Sequence, residues 1–223
     1  MHDTVIYLGP TLGRAEASRI LEADYLPPIA RGDLGRLPKH VKVIGIVDGE
    51  FFQTLAVSPK EIIRTLDRGV RVFGASSMGA LRASETDRYG TVGVGRIFTM
   101  FRDGVVDEDD EVALVYEAET FHPLSVPLVN IRNILEIAFS QDLIDREEMR
   151  HVLRRMKALY FPDRTYAQLK HFCPALAELL GRETIPDLKR EDAIEMLQAI
   201  KMQRVIRDPN EVQPNRQGWI ESH

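Results

Sequence analysis

Residues 71–83 read RVFGASSMGALRA: a short apolar run, two adjacent serines, Ser76 and Ser77, and then the start of a helix. A strand, a sharp turn and a helix in that order resemble a nucleophile elbow, in which the turn lifts one hydroxyl off the carboxyl edge of a sheet. The free N–H groups at the helix start then face that hydroxyl and can hold a developing oxyanion. Gly79 permits close backbone packing at the turn, and Ala75 and Ala80 are small. The stretch A-S-S-M-G nevertheless departs from G-x-S-x-G at its first position, and serine is also a common helix cap. From the residues alone, the serines are either a cap or a nucleophile.

A nucleophilic serine needs a base to take its proton. His2 and His40 fall near loops and His122 stands in FHPLS, so a histidine partner in the manner of an α/β-hydrolase is hard to place. A lysine can serve if burial brings its pKa down from about 10.4. Lys60 is the candidate, because it lies in the first turn of the helix before the VRVFG run, where the helix dipole and desolvation both disfavour an ammonium. Lys39 and Lys42, flanking the VKVIG run, are weaker rivals, and a solvated surface lysine is the plainer reading of each. Asp48 and Gly49 end the VIGIV run and are expected on the same sheet edge as Ser77.

The elements that must position these residues fall into two textures. Up to about residue 120, β-rich runs at Thr4–Leu8, Val41–Val47, Val70–Phe73 and Glu111–Tyr116 alternate with helical segments, which predicts an α/β layer with a mostly parallel sheet and flanking helices. Ser58, Pro59 and Glu61 give a capped helix start, so Val43–Val70 reads as one βαβ unit. Thr11 is a plausible cap for the first helix, with Ala15, Ile20 and Leu21 towards the core. Beyond residue 125, helices are expected over Val129–Phe139, Asp145–Leu159, Tyr166–Leu180 and Glu191–Val205, with breaks at Pro162, Gly181 and Pro186. The expected organisation is an α/β core over 1–125, a mainly helical region over 126–206 packed on it, and a loose tail over 207–223 apart from Trp219 and Ile220.

Other motifs carry little. GVGRIF at Gly93–Phe98 lacks the third glycine of a dinucleotide fingerprint, GPTLG lacks the lysine of a P-loop, and no histidine pair has metal-ligand spacing. The run DEDDE, Asp107–Glu111, reads as a solvated turn because it lacks the spaced ligands and glycine of a calcium loop. No cofactor and no metal are therefore expected. A net charge of -5, with acidic and basic residues interspersed, gives no footprint for nucleic acid. No stretch is long and apolar enough for a bilayer, the N-terminus has no basic leader, and the lone Cys173 fits a reducing compartment, so a cytoplasmic protein without membrane contact is expected.

The ordered set YLGPTL (7–12), YLPPIARGD (25–33), IGIVDGEFF (44–52), VSPKEIIRTLDRGVRVFGASSMGALRASE (57–85), YGTVGVGRIF (89–98) and DGVVDEDDEVALVY (103–116) closely resembles the core of TfuA-like proteins over roughly residues 4–135. The resemblance implies an accessory role beside a YcaO-type enzyme in peptide-backbone thioamidation. It implies release of sulfide by hydrolysis of the C-terminal thiocarboxylate of a ThiS-like sulfur carrier, and help for the YcaO partner in engaging its peptide substrate. It also implies a Ser and Lys pair, for which Ser77 and Lys60 are the matching positions. The oxyanion would be held at Met78 and Gly79, with Gly9 and Gly49 in the neighbouring glycine turns and Asp48 in the groove. Arg82 would either neutralise the anionic thiocarboxylate or pair with Glu85 at i, i+3. A non-catalytic adaptor that docks on a YcaO enzyme is the alternative, and a plain serine esterase is disfavoured for want of acid and histidine partners.

Overall fold

The computed structural model describes residues 2–51 and 55–205. The expected tail over 207–223 lies outside the described residues. A sheet of five parallel strands, β1 (Thr4–Tyr7), β2 (Asp24–Leu26), β3 (Val43–Ile46), β4 (Arg71–Ala75) and β5 (Val92–Val94), runs in the order β2-β1-β3-β4-β5. The chain winds outward in both directions from the β1–β3 neighbours, so the carboxyl ends of those strands diverge into a crevice at a topological switch point.

β1 and β3 are buried at every position, which is why their residues read as continuous apolar runs. On one face Ile6, Val43, Phe73 and Ala75 pack against α1 (Arg14–Ile20) and the last helix, α8 (Leu188–Val205), through Ala17, Met196, Leu197 and Ile200. Gly45 makes this approach possible, because a Cβ there would meet Ile6, Met196 and Ile200. On the other face Val5, Tyr7, Ile44, Ile46 and Val72 pack against α2 (Pro59–Asp67) and Met78 of α3 (Met78–Thr86). Ser58 and Glu61 close a reciprocal capping box on α2, as their spacing predicts.

Beside α3 lies α4 (Gly95–Arg102), and the layer of α5 (Leu128–Ser140), α6 (Arg146–Lys157) and α7 (Tyr166–Phe172) has its own apolar cluster around Ile131, Leu135, Val152 and Leu169. The helix expected over Tyr166–Leu180 stops at Cys173, the residue before Pro174, and continues as two short 3-10 turns. Thr11 is not a helix cap: α1 starts after Gly13, Ala15 is exposed, and Ala17 and Leu21 face the core. The strand expected over Glu111–Tyr116 is not formed. Asp109–Glu111 is a 3-10 turn, and the chain beyond it makes one antiparallel bridge, Tyr116 to Pro123. DEDDE is also not merely a solvated turn, because Glu111 is fully buried.

Candidate functional site

The carboxyl ends of β1, β3 and β4 meet at the elbow. Gly74 and Gly79 let the first turn of α3 sit directly on the strand ends: a Cβ on Gly79 would collide with the Ile46 carbonyl, and one on Gly74 with the Gly79 carbonyl. The Gly79 amide donates to the Val47 carbonyl at 3.2 Å. Between the glycines, Ser76 has φ +67° and the Ser77 amide donates back to Ala75 at 2.8 Å, a strained γ-turn that turns the chain sharply off the sheet. Ser77 then occupies the N-cap of α3, yet its side chain makes no capping bond.

The Ser77 hydroxyl turns instead to Lys189, whose Nζ lies 3.0 Å from Oγ. Lys189 is the second residue of α8 and is 2% exposed, and Ser77 is 1% exposed. A second bond runs from Nζ to the Val112 carbonyl at 2.9 Å, which fixes the rotation of the amine. The Lys189 backbone amide donates to Asn130 Oδ1 at 3.1 Å. Asn130 Nδ2 donates to Asp187 Oδ1 at 2.8 Å, and Asp187 in turn accepts from the Arg190 amide. Burial pushes the Lys189 ammonium below its ordinary range, with Asp48 and Asp187 opposing it electrostatically. A serine hydroxyl beside a desolvated amine is the arrangement in which the amine can take the hydroxyl proton.

Asp48 organises the loop after β1. Its Oδ2 accepts from the Gly9 amide at 2.9 Å and the Thr11 amide at 3.1 Å, and its Oδ1 accepts from the Thr11 hydroxyl at 2.6 Å. Gly49 pairs with Ile29, and Gly9 packs on Pro28. The Gly9 and Gly79 amides are thus engaged within the protein. The Met78 amide, first in α3, has no intrahelical acceptor by its position. A cavity of about 400 Å³ opens beside Lys189, walled by Thr11, His122, Asn130, Tyr166 and Asp187 among others; Ser77, behind the amine, is not part of its lining. Burial and Asp187 push the Tyr166 phenol up to about 12, so it stays an O–H donor.

Lys60 does not join this cluster. It is exposed on the first turn of α2, and Lys39 and Lys42 are exposed too. Arg82 is also engaged elsewhere: Nε donates to the Val57 carbonyl at 2.7 Å and Nη1 pairs with Glu85 at 2.7 Å, the i, i+3 alternative. Sequence reasoning passes over Lys189 because it places the helix start at Glu191 and leaves TIPDLKR as a break. The apolar spacing of Leu188, Ala193, Met196, Leu197 and Ile200, with Asp187 ahead of it, is the signal that would have found it.

A family model for TfuA-like proteins matches residues 48–165, just over half of the chain. The chain belongs to the TfuA-like family. No curated protein matches it. TfuA-like membership associates the chain with thioamidation systems of the YcaO type. The TfuA-like span contains Asp48, the elbow, Val112 and Asn130, and ends before Lys189, so the amine that meets Ser77 comes from a helix outside the matched residues. Among the described residues of this TfuA-like protein, no helix is long and apolar enough to cross a membrane.

Proposed function

We propose that this TfuA-like protein supplies sulfide for YcaO-dependent backbone thioamidation by hydrolysing the C-terminal thiocarboxylate of a ThiS-like sulfur-carrier protein, with Ser77 as nucleophile and Lys189 as base. The observation that carries this reading is the bond between a helix-capping serine that does not cap and a buried lysine with a depressed pKa.

In the reaction, neutral Lys189 accepts the Ser77 proton through its lone pair while one of its N–H groups stays on the Val112 carbonyl. The Ser77 oxygen bonds to the thiocarboxylate carbon, and the Met78 amide stabilises the oxyanion. Collapse breaks the C–S bond. The Lys189 ammonium returns its proton to the sulfur, which leaves as hydrosulfide and gives a seryl ester. Lys189 then takes a proton from water, the hydroxide attacks the ester carbon, and the carrier departs as a carboxylate with Ser77 reprotonated. The acid proton shed as the carboxylate forms passes through solvent to hydrosulfide, so the net change is thiocarboxylate plus water to carboxylate plus hydrogen sulfide.

Sulfide release from a thiocarboxylated carrier tests the assignment. Ser77→Ala and Lys189→Met are each expected to lower the rate by roughly a thousandfold or more, the scale of losing a nucleophile or its base, whereas Lys60→Ala leaves it unchanged. Folded Ser77→Ala and Lys189→Met proteins with wild-type rates would overturn the hydrolase reading in favour of a non-catalytic adaptor.

A further inference from the structure

Beside the Lys189 cavity lies a second one of about 310 Å³, and its lining is of a different kind: Leu8, Leu12, Tyr25, Leu26, Pro27 and Phe121 make it mainly apolar, with Arg14 its one charged side chain among the described residues. Two segments border both cavities. In the loop after β1, Pro10 and Thr11 face the Lys189 cavity while Gly9, Leu12 and Gly13 face the apolar one. In the segment after the Asp109–Glu111 turn, His122 and Pro123 face the first while Thr120 and Phe121 face the second.

Each wall is built to hold its shape. The loop is fixed by the three bonds to Asp48. The other wall is a hairpin closed by the Tyr116–Pro123 bridge and by the Glu117 amide on the His122 carbonyl, at 2.9 Å. At its tip Phe121, with φ +57°, packs its ring 5.6 Å from that of Tyr116. A left-handed phenylalanine is uncommon. Here it puts an aromatic ring in the lining of the apolar cavity.

We infer that the apolar cavity is a side-chain subsite for the extended C-terminal tail of a polypeptide, which threads between loop and hairpin, presents its terminus at Lys189 and seats an apolar residue a few positions upstream against Leu12 and Phe121. In an extended chain, rising about 3.3–3.6 Å per residue, successive side chains point to opposite sides, so an upstream side chain can enter one cavity while the terminus lies in the other. The inference rests on the carrier reading only in requiring a polypeptide terminus at Lys189.

The test is the binding of fluorescein-labelled hexapeptide carboxylates to the full chain, measured by anisotropy: all-glycine, or glycine with one leucine at the second, third, fourth or fifth position from the C-terminus. One register is expected to bind at least about tenfold more tightly than all-glycine, the scale of burying one leucine. Leu12→Ala and Phe121→Ala should each remove most of that advantage. Leu12 is buried and its truncation can unsettle the loop, so Phe121→Ala, on the exposed hairpin and checked by its melting curve, is the deciding variant. The subsite is overturned if no register outbinds all-glycine, or if the preferred register keeps its advantage in folded Phe121→Ala. A preferred register without sulfide release would fell the Ser–Lys hydrolase and leave the subsite standing. Sulfide release without a preferred register would do the reverse.

Discussion

Lys189 is where the chemistry and the stability of the molecule meet. Its amine is desolvated, so the folded state holds the neutral form down to a lower pH than the ordinary lysine value of 10.5. Between the folded pKa and that value the unfolded chain binds the extra proton, so stability rises with pH across the window and is lost as pH falls through it. In the proposed mechanism catalysis follows the same titration, because only the neutral amine can accept the Ser77 proton. Sulfide release is therefore expected to climb with pH through the folded Lys189 pKa and then level off. Thermal unfolding of the Lys189→Met variant, followed against pH beside the wild type, should lack the wild-type rise in stability over that window. An activity limb with no counterpart in the wild-type stability curve, or one that survives in Lys189→Met, would show that the base lies elsewhere. Ser76 adds a different contribution at the same corner: it is fully buried with a left-handed φ and its Oγ has no hydrogen-bond partner, a strained residue of the kind that persists where a site needs it.

At the level of elements, the elbow is a contact between backbones. The Gly79 amide bonds to Val47 and its α-carbon faces the Ile46 carbonyl, so no side chain fits between α3 and the end of β3. Gly79→Ala is expected to destabilise the fold by roughly 3 kcal/mol or more, because backbone rather than a flexible side chain must yield. Denaturant unfolding measures it, and a loss below about 1 kcal/mol would mean that α3 can slide away freely. These packing demands explain which parts of the fold are legible in sequence. The unit from Val43 to Ala75 is legible because its apolar runs are continuous and its capping box is explicit. β2 and β5 are three residues each and too short to carry an alternating pattern. Glu111–Tyr116 looks like a strand but serves as a connector whose Val112 carbonyl reaches Lys189, a tertiary role that no local propensity encodes. Ser77 can be read because strand, turn and helix are adjacent in sequence. Lys189 stands 112 residues away, and only the return of α8 across the sheet brings it in.

Across the whole molecule, the helical layer is tied to the site by charge rather than by apolar packing alone. Glu111, fully buried, accepts from Arg132 of α5 through both carboxylate oxygens, at 2.7 and 2.6 Å, with Lys157 of α6 at 3.5 Å. Arg164, also buried, donates to the Asp110 carbonyl at 2.9 Å and its carboxylate at 2.7 Å, and its Nε reaches the Met156 carbonyl at 3.2 Å. These bonds hold the Asp109–Glu111 turn, and with it the Val112 carbonyl that orients the Lys189 amine. Removing one member of a buried pair strands the other charge and typically costs about 3–5 kcal/mol, whereas replacing both by apolar residues is often close to neutral. Arg132→Met should therefore lower the melting temperature by roughly 6–20 °C at about 2–4 °C per kcal/mol, and sulfide release should fall with it as the Val112 carbonyl loosens. Adding Glu111→Leu to Arg132→Met should recover most of the lost melting temperature. Equal melting of the single and double variants would show that the buried charge is not what holds the turn. Recovery of stability without recovery of sulfide release would show that the ion pair sets the position of Val112, and so of the Lys189 amine, beyond its effect on folding.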